Sequence, residues 1–223
     1  MKILVTGGGS EEPIDNVRAV CNFSTGRTAS FLADYFASQG HNVTAIMSQK
    51  AVHPQNKNIC LITYRTFAEL QQALQSQCES GNFQAIVHAA AVSDYSPQTI
   101  QIDGQTFRAG AFSKIPPGRE LIIKMRKNPK LVDSLKTWAG QNTKVIAFKL
   151  TSDATMDKRI AAVNKIFDSN KDQTLAPDFV VSNDLSEITR ELHPFRIFAK
   201  DKTAAYDGKT NEELAKSILQ AME

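Results

Sequence analysis

The sequence predicts an α/β protein built on a doubly wound, mostly parallel sheet, with a long insertion over residues 93–123 and a C-terminal antiparallel hairpin. Three observations predict it. Runs of β-formers alternate with stretches of helical periodicity along most of the chain, the pattern of a parallel sheet covered on both faces. The first run, Lys2–Thr6, stops on three glycines, where such sheets place ligand-binding turns. The alternation pauses once, over 93–123, far beyond the usual ~2–6 residues of a βα connection.

Each element has its own local reason. Lys2–Thr6 is β-rich and ends at Gly7-Gly8-Gly9. From Thr25 to Ser38, Phe31, Leu32, Tyr35 and Phe36 recur at helical spacing, Ser24 or Thr25 can cap the start, and Gly40 supplies the stop. Asn42–Met47 is the next strand. Phe67–Cys78 is helical through Phe67, Leu70, Ala73 and Leu74, and Gln84–His88 is a strand running into Ala89-Ala90-Ala91. The 93–123 excursion carries Pro97, Gly104, Gly110, Pro116, Pro117 and Gly118 among scattered β-formers, which suits a flap, a subdomain or an interface element. Asn128-Pro129 then opens a helix, Asn as N-cap and Pro at the first helical position, with Leu131, Leu135 and Trp138 on one face. Lys144–Lys149 is a strand, Met156–Phe167 a helix, Asp168–Pro177 a polar loop and Asp178–Ser182 a strand. Phe195–Ala199 and Thr203–Tyr206 make the closing hairpin, and Glu212–Met222 the last helix.

Composition narrows the class. The 223 residues suffice for one large domain, 1–223, with a sizeable core. No apolar run approaches the ~20 residues of a membrane span, and Met1–Thr6 meets the glycines without the apolar segment of a signal peptide. The net charge of +3, without a basic stripe, predicts no nucleic-acid partner. Cys21, Cys60 and Cys78 are odd in number and widely spaced, which fits a reducing cytoplasm rather than a disulfide framework or a zinc site.

The candidate site residues cluster at predicted strand ends. Gly7, Gly8 and Gly9 let a backbone approach phosphate, or simply serve a turn that needs positive φ. The loop has neither GxxxxGK[ST] nor GxGxxG, the second strand ends without an acidic residue for a ribose, and no tyrosine has lysine four positions on. These absences disfavour a P-loop enzyme and nicotinamide chemistry. Ser24 and Gly26 open a helix N-terminus that can cradle an anion, with Arg18 and Arg27 near in sequence. Asn22 offers an amide able to hold a developing oxyanion. Ala90 and Ala91 leave room for a substrate against the backbone, and Asp94 can bind a ribose, a metal or an amide, or cap its own loop. His88 reads as a strand residue. Lys114 is either a solvated lysine or a flap cation for a polyphosphate; Phe148 is either core or a base-stacking ring, with Lys149 beside it for phosphate. The set suggests a phosphate-rich ligand and names no reaction.

In order, Val5-Thr6-Gly7-Gly8-Gly9-Ser10-Glu11-Glu12-Pro13-Ile14-Asp15-Asn16-Val17-Arg18 and Asn22-Phe23-Ser24-Thr25-Gly26 resemble the opening signature of the phosphopantothenate–cysteine ligase family. The likeness continues through Ala89–Tyr95, Lys114-Ile115, Ile123-Lys124-Met125, Asn128–Leu131, Phe148-Lys149-Leu150 and Val181-Ser182-Asn183-Asp184. It covers nearly the whole chain.

The resemblance implies a Rossmann-like sheet with a flap that helps form a homodimer. It implies a reaction in coenzyme A biosynthesis: 4′-phosphopantothenate attacks the α-phosphate of a nucleoside triphosphate, pyrophosphate leaves, and L-cysteine attacks the acyl-nucleotidylate. Mg²⁺ accompanies the triphosphate, with CTP placed ahead of ATP; the metal ligands are not assigned. By resemblance, Asn22 acts on the acyl-nucleotidylate and Lys114 is the catalytic flap lysine. Gly7, Gly8, Gly9, Ser24, Gly26, Asp94, Phe148 and Lys149 contact nucleotide, while Arg18, Ala90 and Ala91 contact substrate. Lys158, Lys165 and Lys171 compete for further nucleotide contacts. Lys114-Ile115 is followed by Pro116-Pro117 where many bacterial members have a lysine-rich flap, and Phe148-Lys149-Leu150 looks like the eukaryotic form. Beginning at the ligase's first strand, the chain is expected to act as a stand-alone enzyme, with phosphopantothenoylcysteine decarboxylase encoded separately. Two alternatives stay open: a nucleotide-binding Rossmann reductase of the NAD(P) or sugar-nucleotide type, and a nucleotide-sensing regulator.

Overall fold

β1 (Lys2–Gly7) lies inside an eight-stranded sheet, and its Ile3, Leu4 and Val5 are fully buried because helices cover both faces. The computed structural model describes residues 1–118, 120–189 and 191–222; position 119 of the predicted insertion and position 223 of the predicted domain lie outside them. β2 (Glu11–Pro13) and β3 (Ala19–Cys21) pair as a small separate hairpin. α1 (Arg27–Ser38) returns the chain to β4 (Asn42–Ser48), parallel to β1. β5 (Cys60–Tyr64) forms the sheet edge, and α2 (Phe67–Gly81) leads to β6 (Ala85–His88) on the other side of β1.

The excursion is a module with its own sheet. β7 (Tyr95–Ile102), β8 (Gln105–Arg108) and β9 (Leu121–Lys127) form three antiparallel strands in the order β8-β7-β9. The main sheet then resumes. α3 (Leu135–Ala139), β10 (Lys144–Thr151), α4 (Met156–Phe167) and β11 (Phe179–Asp184) follow in turn. β12 (Phe195–Ala199) and β13 (Ala204–Gly208) are the antiparallel hairpin, and α5 (Asn211–Met222) ends the described chain.

The sheet order is β13-β12-β11-β10-β6-β1-β4-β5, with parallel pairing from β11 through to β5. The predicted α/β class and terminal hairpin are therefore observed. The chain winds outward from β1 through β4 and β5, then crosses back to β6. The switch point between β1 and β6 is where such sheets open a crevice beyond their carboxyl ends. Alternation splits the core by face. Ile3 and Val5 pack with Leu32 and Phe36 of α1 and Leu214 and Ile218 of α5, while Leu4 packs with Leu70, Leu74 and Leu135. A separate small core joins Ile14 of the β2–β3 turn to Ile100, Ile102 and Ile115 of the module.

Four local expectations change. The insertion runs to Lys127 rather than to 123, because β9 completes the three-stranded sheet. Asn128 caps no helix: its buried amide donates to the Ser93 carbonyl (3.0 Å) and the Ser96 hydroxyl (2.9 Å), which ties off the base of the module. Helical backbone starts only at Leu131, as a 3₁₀ turn to Ser134 ahead of α3. Neither Ser24 nor Thr25 caps α1; Gly26 occupies that position with φ 69°, a left-handed conformation suited to glycine. β5 has no counterpart in the sequence reading, since this edge strand leaves Cys60, Leu61 and Thr63 exposed and lacks the expected apolar alternation.

Candidate functional site

The carboxyl ends of β6, β10 and β11 open onto one cleft of about 1100 Å³. Its walls come from the loop before α1 and that helix's first turn (22–29), the loop after β6 (88–94), residues 129–133, the end of β10 (147–150) and side chains between 183 and 193. Asn22, Ser24, Gly26, Ala90, Ala91 and Asp94 all line it, as do Phe148 and Lys149. Hydrogen bonds stitch the turn after β1 to the loop after β6. Ala91 N donates to Gly8 O (2.8 Å) and Ser10 N to Ala91 O (3.2 Å), while the Ser10 hydroxyl accepts from Ser93 N (3.0 Å). Asn22 spans the seam: its Nδ2 donates to Val92 O at 3.1 Å.

Gly7, Gly8 and Gly9 do not line the cleft. They permit close packing beneath it. A β-carbon on Gly7 would lie 2.3 Å from that of Ala29, one on Gly8 2.5 Å from that of Ser48, and one on Gly9 1.9 Å from Asn22 O. Gly7 thus seats α1, Gly8 the end of β4, and Gly9 the 22–26 loop.

Arg18 and Lys114 also lie off the cleft. Both are exposed, on the β2–β3 turn and on the module. The acidic residues of the Glu11–Asp15 stretch explain that placement, and sequence reasoning gave them no role. Lys50 and Arg65 hold the Glu11 carboxylate below its usual pKa. Glu12 accepts from Phe67 N (2.8 Å) at the start of α2 and from the Ser96 hydroxyl (2.6 Å) of β7. Asp15 accepts from Val17 N (2.8 Å), Arg18 N (2.7 Å) and Ile115 N (2.9 Å), which keeps its carboxyl below the ordinary range. The sequence signal was three carboxylates in five residues beside a glycine turn.

The cleft is electropositive. Arg27, Lys50, Lys130, Lys149 and Lys165 line it against Asp94, Asp133 and Glu191. Lys50 pairs with Glu11 and Lys130 with Asp94, while Arg27, Lys149 and Lys165 make no ion pair among the described residues. Of the three competing lysines, Lys165 lines the cleft; Lys158 and Lys171 do not. His88 is buried at its floor, 2.9 Å from the Thr6 hydroxyl, and burial lowers its pKa to about 4, so it stays neutral as a strand residue.

The far wall holds side chains to which the sequence reading assigned no function. Asn183 Nδ2 lies 2.9 Å from His193 Nε2, both residues are buried, and Asn183 Oδ1 has no partner among the described residues. Asn211 Oδ1 is unpaired too, and its residue also lines the cleft. Asp184 braces the same wall. It accepts from the hydroxyls of Ser186 (2.6 Å) and Thr151 (2.7 Å), and from the amides of Asp153 and Ala154, which hold its carboxyl far below the usual range. No group of three or more His, Cys, Asp or Glu among the described residues is placed to hold a metal ion, and no helix among them is long and apolar enough to cross a membrane.

Residues 1–223 match the family model of the DNA/pantothenate metabolism flavoprotein C-terminal domain. The chain belongs to that family. Among family relatives, the coenzyme A biosynthesis bifunctional protein CoaBC of Thermococcus kodakarensis is 25% identical over 222 residues, covering 100% of this chain and 51% of the relative. The chain therefore spans about half the length of that curated relative. The DNA/pantothenate metabolism flavoprotein from Streptococcus pneumoniae is similar in structure, with a TM-score of 0.85, 27% identity, and coverage of 99% of this chain and 97% of the other. A Cab2 mutant in complex with phosphopantothenate-cysteine shares the fold at 20% identity and a TM-score of 0.76, over 99% of this chain and 86% of that one.

Proposed function

We propose that this chain is a phosphopantothenate–cysteine ligase, joining L-cysteine to 4′-phosphopantothenate through an acyl-nucleotidylate in coenzyme A biosynthesis. The observation that carries the reading is convergence. Segments 22–26, 90–94 and 148–149, far apart in sequence, meet at one electropositive cleft at the switch point of the sheet. Its volume of about 1100 Å³ is just above the usual range for small-molecule sites, which leaves room for more than one substrate.

In this reading the pantothenate carboxylate attacks the α-phosphorus and pyrophosphate departs. Arg27, Lys149 and Lys165, which no carboxylate neutralises among the described residues, offset the triphosphate charge. Asn22 is held by one amide N–H on Val92 O, which leaves Oδ1 and the second N–H for the acyl-nucleotidylate. The cysteine amine then attacks the acyl carbon and the nucleoside monophosphate leaves. Mg²⁺ would arrive with the triphosphate and offset its charge, and Asp94, on the loop after β6, is a cleft carboxylate that would help hold it. CTP stands ahead of ATP as the nucleotide. Arg18 and Lys114 sit away from their own cleft, and in a homodimer with the module at its interface they would meet the ligand bound to the second copy. The enzyme is taken to be cytoplasmic.

The test incubates the protein with 4′-phosphopantothenate, L-cysteine, Mg²⁺ and either CTP or ATP, following pyrophosphate and the coupled product. Cysteine-dependent product is expected, and parallel titrations rank the nucleotides. No such product with either nucleotide overturns the reading, and NAD(P)H binding in its place points to a reductase.

A further inference from the structure

Lys114 is exposed, yet its backbone is gripped on both sides by one turn. Asn16 N donates to Ser113 O (3.2 Å), and Asp15 accepts from Ile115 N (2.9 Å). Asp15 and Asn16 are adjacent, so neighbouring residues of the β2–β3 turn hold the two residues that flank the lysine. The same carboxylate orders Arg18. It accepts from the Arg18 amide (2.7 Å), and the guanidinium lies 3.7 Å from Oδ2 while donating to Ile115 O (3.4 Å). The turn continues through β3 to Cys21, and Asn22 follows directly, its amide on Ser10 O (3.2 Å) and its side chain on Val92 O.

From this geometry we infer that Asp15 is a positioning residue: one buried carboxylate sets the placement of Lys114 and Arg18 relative to each other. The inference rests on the ligase reading of Lys114. A short hydroxyl can close a two-residue turn by itself. What the carboxylate adds is a second oxygen, and that oxygen reaches across 100 positions of sequence to Ile115. A buried charge is costly unless fully bonded, and Asp15, 2% exposed, receives three amides and a guanidinium. Ile115 itself, 3% exposed, is locked among Ile14, Ile100 and Ile102, so the clamp acts on a rigid segment rather than a free loop.

The test compares Asp15→Ser, which keeps a turn-closing hydroxyl but loses the arm to Ile115, and Asp15→Asn, which keeps the size. Each is made alone and combined with Lys114→Gln. In steady-state assays with CTP and ATP, either variant is expected to raise the triphosphate KM about tenfold with an unchanged circular dichroism spectrum. In the Lys114→Gln background the same substitution is expected to change triphosphate affinity, read by equilibrium binding, by no more than about twofold, because it acts through the lysine. Wild-type KM in both variants, or losses that multiply with Lys114→Gln, overturns the inference. Hydrogen exchange on the unmodified protein gives an arm that depends on neither folding of the variants nor activity. Strong protection of the Ile115 amide is expected, and exchange at the rate of an open loop overturns the clamp. Absence of product from the unmodified protein, with Ile115 protected, defeats the ligase reading and with it the role of the clamp, while the clamp itself stands.

Discussion

Gly9 shows how little space separates the glycine turn from Asn22, which spans the seam at the cleft. A β-carbon there would meet Asn22 O at 1.9 Å, backbone against backbone, so no side-chain rotation relieves it. Gly9→Ala is expected to lower the unfolding free energy by about 1–3 kcal/mol and to displace Asn22. Urea denaturation alongside the ligase assay checks both, and a variant with unchanged stability and rate would show that the loop yields freely. For Asn22 the expected outcome is chemical. Asn22→Asp retains one side-chain oxygen but replaces the donor with charge beside a phosphorylated ligand, so the acyl-nucleotidylate should accumulate and be visible by mass spectrometry. Normal turnover in that variant removes Asn22 from its assigned role.

Elements differ in how local their determinants are. α2 begins with a capping box: Thr66 Oγ1 accepts from Glu69 N (3.2 Å) and Glu69 accepts from Thr66 N (3.4 Å). Thr66→Ala should cost about 1 kcal/mol in chemical denaturation, with catalysis little changed, since α2 lies outside the cleft. A loss of activity without a loss of stability would contradict this division. α1 has no such device, and its start is set by contacts from elsewhere: a β-carbon on Gly26 would lie 2.7 Å from that of Ala51. The three-stranded module depends least on local signals. Glu12 joins it to α2, Asp15 to the β2–β3 turn and Asn128 to its own base, so its boundaries are decided by residues at or beyond its ends.

For the molecule as a whole, two buried histidines make stability depend on pH. Burial lowers the pKa of His88 from 6.5 to about 4 and lowers that of His193 as well. The unfolded chain then binds more protons than the folded one, so this contribution is complete above pH 6.5 and is lost as pH falls toward 4. Each histidine can contribute a slope of up to about 1.4 kcal/mol per pH unit. His88→Gln should flatten the profile measured by denaturation between those limits, and an unaltered slope would show that His88 is not the titrating group. If the proposed homodimer forms, the placement of Arg18 and Lys114 away from their own cleft predicts complementation. Mixing Asn22→Asp with Lys114→Gln chains under subunit exchange should restore part of the activity that each lacks. Failure to recover any, with exchange confirmed by mass, would place the lysine's action within one chain.

The sequence by itself determined the fold class and the segments that wall the cleft. Strand periodicity, glycine stops and helix faces are written within a few residues, and in a doubly wound sheet every parallel strand delivers its following loop to the same edge. That is why 22–26, 90–94 and 148–149 could be chosen from sequence and are found together. Tertiary structure decided what depends on distant partners. It made the edge strand β5, carried the module on to Lys127, and turned Asn128 from a helix cap into an anchor. It put Lys165 rather than Lys158 or Lys171 in the cleft, set Asn183 against His193, and moved the glycine triplet from the wall to the foundation. Asp15 is the clearest case. Its partner stands 100 residues away, and no local pattern encodes a contact that exists only once the flap module has folded back over the first hairpin.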